Sequence, residues 1–84
     1  MAKVTQENRE KAESKAKEQG WELEQIRMLT DHPLDNYLMV TLCHIPTYKE
    51  YGVHLYNSEQ NGFNEGYYTD YANKDKAIER FKTK

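Results

Sequence analysis

The chain has 84 residues, of which 37% are hydrophobic and 31% are charged, and its formal net charge is −2. This length predicts one domain over residues 1–84 with a single modest core, and the weak negative charge excludes an overall basic field for nucleic acid. One cysteine, Cys43, excludes an internal disulfide, and no apolar run approaches the length of a membrane span or a signal segment. We therefore expect a cytoplasmic protein with no membrane partner.

The first predicted element is a helix over residues 5–19. Thr5 is a residue type that caps a helix N-terminus, and Gly20 is the type that ends a helix in the left-handed conformation. The apolar stripe of this helix consists of Ala12 and Ala16, and the other side chains are mostly polar or charged. Such a narrow stripe predicts a largely solvated helix that packs along one seam.

Residues 21–30 predict a strand at the edge of a sheet or next to it. Their apolar positions change phase between Leu23 and Ile26, which indicates either a bulge or a strand that buries opposite faces at its two ends. The alternative is a helix that continues past Gly20, because several apolar residues also fit a helical spacing. A glycine inside such a helix would cost about 1 kcal/mol, which favours the strand. In the loop that follows, Pro33 is expected to make the backbone rigid and to hold the residue before it in an extended conformation.

Residues 37–69 contain three runs around which the chain is organised. The runs 37–45, 51–57 and 63–69 are rich in Val, Leu, Ile, Phe, Tyr and Thr, and polar residues and glycine separate them, a pattern typical of an antiparallel meander. The run 37–45 is apolar at both alternating sets of positions, which predicts a central strand with both faces at least partly covered. An exposed apolar second face would favour a homodimer.

Turn signals separate these runs. Pro46 ends the central strand because it has no N–H for the ladder, and Asn61 with Gly62 is expected to supply positive φ angles in a hairpin turn. Gly66 inside the third run predicts a bulge or the close approach of another segment.

The last predicted element is a helix over residues 73–84, capped by Asn73. Its apolar face consists of Ala77, Ile78 and Phe81, and Phe81 is expected to be the anchor. The predicted fold class is therefore α+β, with an N-terminal helix, an antiparallel meander of three to four strands, and a C-terminal helix.

The residues that could carry metal or nucleophilic chemistry form no motif of known spacing. His32, His44, His54 and Cys43 lack the close pairs typical of zinc sites. His44 and His54 would share a sheet face if paired positions on their strands sum to an even number, whereas Cys43 and His54 would do so in the odd register. No glycine-rich oxyanion turn follows Cys43. We expect no metal, no cofactor and no catalytic residues.

The order helix, sheet, helix is also that of double-stranded RNA-binding domains, whose last helix begins with lysines. Lys74 and Lys76 lie near that position, but Asp70 and Asp75 interrupt the basic cluster that phosphate binding requires. A small nucleic-acid-binding domain that uses these lysines and the first helix is the alternative function.

Tyrosine is the compositional oddity, with seven in the chain. Six of them lie within residues 48–71, and strand alternation must direct some of these rings outward. Tyrosine and carboxylate side chains on a rigid sheet suit a basic protein surface. The alternative is that these are ordinary strand tyrosines, half-buried in a small core. The predicted partner-binding residues are Tyr56, Tyr68, His54, Glu59 and Glu65.

The segments YGVHLYN and GFNEGYY, followed by Ala77 and Phe81, resemble small proteins of phages and mobile elements of Gram-positive bacteria. In those proteins a YxVxxYN strand precedes a GxxxGxY strand and an AxxxF helix, so the resemblance covers about the last half of this chain. Some proteins of this kind are anti-CRISPR inhibitors, which bind a type II effector nuclease and block guide or target DNA access. The resemblance implies a non-enzymatic inhibitor in the host cytoplasm with a CRISPR effector nuclease as its protein partner.

Overall fold

The computed structural model describes residues 4–29 and 37–83. Its elements are α1 (Gln6–Glu18), β1 (Glu22–Met28), β2 (Leu38–Ile45), β3 (Glu50–Asn57), β4 (Gly62–Asp70) and α2 (Lys74–Thr83), with 3-10 turns at Pro46–Tyr48 and Tyr71–Asn73. The strands form one antiparallel sheet in the order β1-β2-β3-β4. The predicted α+β fold is confirmed, and residues 21–30 contain an edge strand rather than more helix. The predictions for His32 and Pro33 lie outside the described residues.

Both ends of α1 follow the sequence signals. The Thr5 hydroxyl accepts a hydrogen bond from the Asn8 backbone N–H at 3.1 Å. At the other end Gly20 has a φ of 82°, and Trp21 N–H donates to the Ala16 carbonyl at 2.8 Å. These are features of a Schellman motif, which reverses the chain within two residues. As a result Trp21 lies back over the sheet instead of continuing away from it.

The phase change in β1 is a bulge at Glu24. Leu23 pairs with Cys43 and Gln25 pairs with Leu42, so that Glu24 is the extra residue. The bulge brings Leu23 onto the same sheet face as the apolar residues that follow it, and the apolar side of β1 is continuous.

The sheet carries one helix on each side. On one side Val40, Leu42 and Val53 pack with Ala77 and Phe81 of α2, and this side is named the α2 face. On the other side, named the α1 face, the buried cluster consists of Ala12 of α1 with three residues of the sheet. Those three residues are Met28, Met39 and Tyr56. The two faces of β2 are therefore both buried, as its apolar sequence predicted.

Two details of the turns differ from the predictions. Asn61 has a positive φ of 52° and Gly62 does not, so only one residue of the predicted pair supplies the special conformation. The turn before α2 is capped by Asp70, whose carboxylate accepts from the Asn73 backbone N–H at 3.0 Å. Asp70 is the capping residue because its carboxylate lies three residues ahead of the Asn73 N–H and can accept from it. Asn73, which was predicted as the cap, is the donor of this hydrogen bond.

The predicted irregularity near Gly66 is confirmed. The pairing of β3 with β4 shifts between Val53 and Leu55, and Glu65 has a φ of 54° at that point. The extra residue in β4 lets Tyr67 lie against the core of the α2 face, while Tyr68 lies on the α1 face.

Candidate functional site

The α1 face is covered at one end and open at the other. Only the small side chains Ala12 and Ala16 are buried on α1, and Ala12 packs near Met39 and Tyr56. At the other end of the same face lies a cleft of about 310 Å³, near the turn between β2 and β3. It is lined by Trp21, Ile45, Tyr48, Glu50 and Tyr68, and by no residue of α1.

Trp21 forms one wall of this cleft. Its indole stacks on the His54 imidazole with 4.7 Å between ring centroids and an interplanar angle of 19°, and it also meets Phe63 at 5.3 Å. The reversal after Gly20 supplies the backbone direction, and the two rings fix the side chain. Trp21 is thus held by packing on both its neighbours.

Tyr68 forms the opposite wall, and two glycines make room for it. A Cβ built on Gly66 would lie 2.8 Å from the Tyr68 hydroxyl, and one on Gly52 would lie 3.3 Å from the Tyr68 ring. The ring therefore lies close to the sheet backbone, with its hydroxyl 2.9 Å from His54 Nε2. Half of Tyr68 remains exposed. A side chain fixed at its tip and exposed on one side is a preformed contact surface.

Tyr48 and Glu50 come from the connection between β2 and β3. Pro46 opens a 3-10 turn and Lys49, with a φ of 53°, ends it in the left-handed conformation. This geometry leaves Tyr48 73% exposed at the rim and places Glu50 at the first position of β3. Glu50 lies opposite Asp70 of β4, so two carboxylate residues share one cross-strand pair.

The predicted partner-binding residues do not form one surface. Tyr56 is 0% and His54 3% exposed, so their predicted outward position is wrong. The reason is that α1 and Trp21 cover the face to which both residues belong. Tyr68 is exposed and contacts His54, whereas Glu59 lies in the turn after β3 and Glu65 in the bulge of β4. Partner binding through Tyr68, Glu59 and Glu65 stays a prediction.

The polar end of Tyr56 is buried with its ring. Its hydroxyl donates to Asn61 Oδ1, and burial raises the pKa of this phenol above its ordinary value. Tyr56 is therefore a core residue with a satisfied tip, which is the alternative that the tyrosine pattern left open.

Among the aromatic and charged residues of the cleft, Trp21, Tyr48 and Glu50 were not predicted as partner-binding residues. Their sequence signal is weak: a tryptophan directly after a helix-ending glycine, and a glutamate two residues before a glycine of the same strand face. Neither signal shows that the three side chains line one cleft, because Trp21 is far in sequence from Tyr48 and Glu50.

A second polar cluster lies on the α2 face. His44 Nδ1 is 2.9 Å from Glu22 Oε2, and its Nε2 is 2.6 Å from the Tyr71 hydroxyl. When the imidazole is neutral, Nδ1–H donates to the carboxylate and the tyrosine hydroxyl donates to Nε2. A carboxylate, an imidazole and a hydroxyl in series are also the elements of a catalytic triad. Here they join β1, β2 and the turn before α2, and they fix the edge of the sheet to the start of the helix.

His44 and His54 lie on opposite faces. Thr41 pairs with His54 and His44 pairs with Tyr51, so paired numbers sum to 95, the odd register. The described part of the chain holds no group of three or more His, Cys, Asp and Glu side chains that could bind a metal ion.

Cys43 shares the α1 face with His54, as the odd register requires. It is fully buried, and burial raises the pKa of the thiol from its ordinary value of 9.0 to about 12, against a smaller lowering by the Thr41 hydroxyl. Near neutral pH this thiol is protonated, and a protonated thiol is a poor nucleophile and metal ligand.

The lysines considered for nucleic acid binding are partly engaged within the protein. Lys74 Nζ is 3.4 Å from Glu24 Oε1 and 4.7 Å from the centre of the Tyr51 ring, and Glu24 raises the pKa of this amine. Lys76 is exposed next to Asp75. The interposed acids weaken the field that a phosphate would meet, and nucleic acid binding stays a prediction without a structural observation that favours it.

Comparison of the chain with protein-family models, with curated proteins and with solved structures gives no match. Among the described residues, no helix is both long enough and apolar enough to cross a membrane.

Proposed function

We propose that this chain is a non-enzymatic protein-binding module whose contact surface centres on the cleft of Trp21, Tyr48, Glu50 and Tyr68. The observation that carries the proposal is the exposure of large aromatic side chains at a concave site: Tyr48 is 73% and Tyr68 50% exposed. Tyrosine and tryptophan are enriched at the centres of protein interfaces because each joins a large apolar area to a polar tip.

Preorganisation supports the same proposal. Trp21 is stacked on His54, and Tyr68 is fixed by a hydrogen bond to the same imidazole. Side chains that are ordered before binding lose little rotamer entropy in the complex, which otherwise costs about 0.5–1.5 kcal/mol for each one. A small rigid aromatic surface is thus suited to bind a partner, even though the whole chain has only 84 residues.

The narrower form of the proposal is an inhibitor of the anti-CRISPR class that acts in the host cytoplasm on a type II effector nuclease. Its support is the sequence resemblance of residues 51–81 to phage and mobile-element proteins, together with the acidic pair of Glu50 and Asp70 beside the cleft. Such nucleases hold nucleic acid in a positively charged channel, and an acidic surface with aromatic anchors complements it.

The test is capture of purified type II effector nucleases on immobilised protein, combined with a DNA cleavage assay. We expect the wild-type chain to retain at least one nuclease and reduce cleavage, and Tyr48→Ala to lose both effects. Tyr71→Ala is the matched control, since Tyr71 is 43% exposed on the other face.

Two outcomes would overturn parts of the proposal. Full cleavage by every nuclease, with none captured, ends the anti-CRISPR assignment. Equal capture of a partner by wild type and Tyr48→Ala ends the assignment of the cleft as the contact surface.

A further inference from the structure

We infer that the cleft receives an arginine side chain of the protein partner. The inference deepens the proposed function and rests on it, because the cleft is the proposed contact surface. It is carried by two features of the site: the carboxylate of Glu50 in its lining, with Asp70 as the cross-strand neighbour, and aromatic rings that no lysine or arginine of the described chain covers.

The acidic end of the cleft lacks a counter-charge. Glu50 and Asp70 are cross-strand partners, and like charges placed directly opposite one another are destabilising. The Asp70 carboxylate accepts hydrogen bonds from the Asn73 backbone N–H at 3.0 Å and from its Nδ2 at 2.7 Å. Within residues 4–29 and 37–83 the Glu50 carboxylate has neither a hydrogen bond nor an ion pair. A cation bound in the cleft would neutralise this end of the sheet.

Within the described chain, the aromatic rings of the cleft also lack a nearby lysine or arginine, unlike the tyrosine rings on the α2 face. There Lys74 lies 4.7 Å from the Tyr51 ring centre, and Arg80 lies 5.4 Å from that of Tyr67. Among the residues that the structure describes, no lysine or arginine lies over Trp21, Tyr48 or Tyr68. Tryptophan is the strongest cation–π acceptor of the three aromatic residues, and here it faces the cleft. Lys49, although next to Glu50, does not line the cleft.

Arginine fits these walls better than lysine does. A guanidinium is planar and weakly hydrated, so it stacks on flat rings and directs a fork of N–H groups at a carboxylate. A lysine ammonium is a strongly hydrated point charge that gains less from stacking. The volume of about 310 Å³ lies at the lower end of the range for ligand pockets, which suits one side chain rather than a larger cofactor.

The inference can be tested without the partner by titrating N-acetyl-arginine methylamide into the purified protein. Trp21 is the only tryptophan of the chain, so its fluorescence and its indole N–H resonance report on the surroundings of this one side chain, and the carboxylate variants below assign a response to the cleft. We expect a saturable change with the arginine compound and none with the citrulline counterpart, which has the same shape without the charge. An equal response to citrulline, or an equal affinity for the lysine counterpart, would overturn the inference.

Matched carboxylate variants locate the effect. Glu50→Gln is expected to weaken binding of the arginine compound about tenfold, the size of one charge-assisted hydrogen bond. Glu79→Gln removes one exposed carboxylate of α2, outside the cleft, and should leave binding unchanged, while Tyr48→Ala, at an exposed position that keeps the fold, should weaken it. Unchanged affinity in Glu50→Gln contradicts the inference. If capture of a nuclease depends on Tyr48 but the arginine compound gives no response, the proposed function stands and this inference fails.

Discussion

The two faces of the sheet differ in how completely their helices cover them. On the α2 face, Phe81 packs against Val40 and Leu42, and the tyrosine rings on this face lie under lysine and arginine side chains of the same chain. On the α1 face the helix contributes only alanines, and the aromatic rings at the far end lie at the surface. The width of a helix's apolar stripe thus decides how much of a sheet remains open for a partner.

The largest expected effect is on the covered side. Phe81→Ala should lower the free energy of unfolding by about 3–5 kcal/mol, because it removes a ring that is buried at the centre of the α2 face. Urea unfolding followed by circular dichroism measures this loss. Lys82→Ala on the same helix is exposed and should stay within about 0.5 kcal/mol of wild type. A small loss in Phe81→Ala would contradict the burial of this ring in the core of the α2 face.

The pH dependence of stability that Cys43 supplies can show whether water is excluded from the covered half of the α1 face. Its thiol pKa is about 12 in the folded protein and 9.0 when unperturbed, so the native chain keeps a proton that the unfolded chain loses as pH rises. The stability supplied by this group is therefore complete below about pH 9 and declines as pH rises towards about pH 12.

The measurement compares wild type with Cys43→Ala in urea at two pH values. Between about pH 8 and about pH 11, wild type should lose about 2–3 kcal/mol more than the variant does. Tyr56, whose phenol pKa is also raised by burial, adds a loss of the same sign, but it is present in both proteins and cancels. Equal losses in the two proteins would mean that water reaches the thiol.

Gly52→Ala probes the floor of the open end. The added Cβ would lie 2.7 Å from His54 Cε1 and 3.0 Å from Ile45 Cδ1. His54 is stacked under Trp21 and cannot move away freely, so we expect a loss of about 1–3 kcal/mol and a changed Trp21 emission. Gly62→Ala is the control, since its Cβ would meet nothing within 4 Å. Equal stability of the two variants would contradict the close packing of the floor.

The sequence was sufficient to predict what depends on near neighbours. Thr5, Gly20 and the phase change after Leu23 each act within a few residues, and the structure confirms the helix ends and the bulge that they indicate. Strand alternation also requires the neighbours Tyr67 and Tyr68 to lie on opposite faces, as they do, although it does not say which of the two is buried.

What alternation cannot predict is which residues of a face a helix will cover. His54, Tyr56 and Tyr68 all belong to the α1 face, yet the first two are buried and the third is exposed. The difference arises from where α1 and Trp21 lie on the sheet, which depends on packing between residues far apart in the chain, such as Trp21 and His54. The partners of Glu50 across the sheet depend in the same way on a register that is fixed by the length of the preceding turn.

The smallest effect on stability is expected at Tyr48, and the same substitution on the other face sharpens the comparison. Tyr48→Ala removes a ring that is 73% exposed, so the free energy of unfolding should change by less than about 0.5 kcal/mol. Tyr67→Ala removes a ring that packs against the core of the α2 face under Arg80, and it should cost about 1–3 kcal/mol.

Binding should show the opposite order. If the open end of the α1 face is the contact surface, Tyr48→Ala loses the partner while remaining as stable as wild type, and Tyr67→Ala keeps the partner wherever it remains folded. Chemical denaturation and partner capture on the same two preparations give both readouts. A variant of Tyr48 that loses several kcal/mol would instead make its ring a structural element, and the distinction between a covered and an open face would no longer hold.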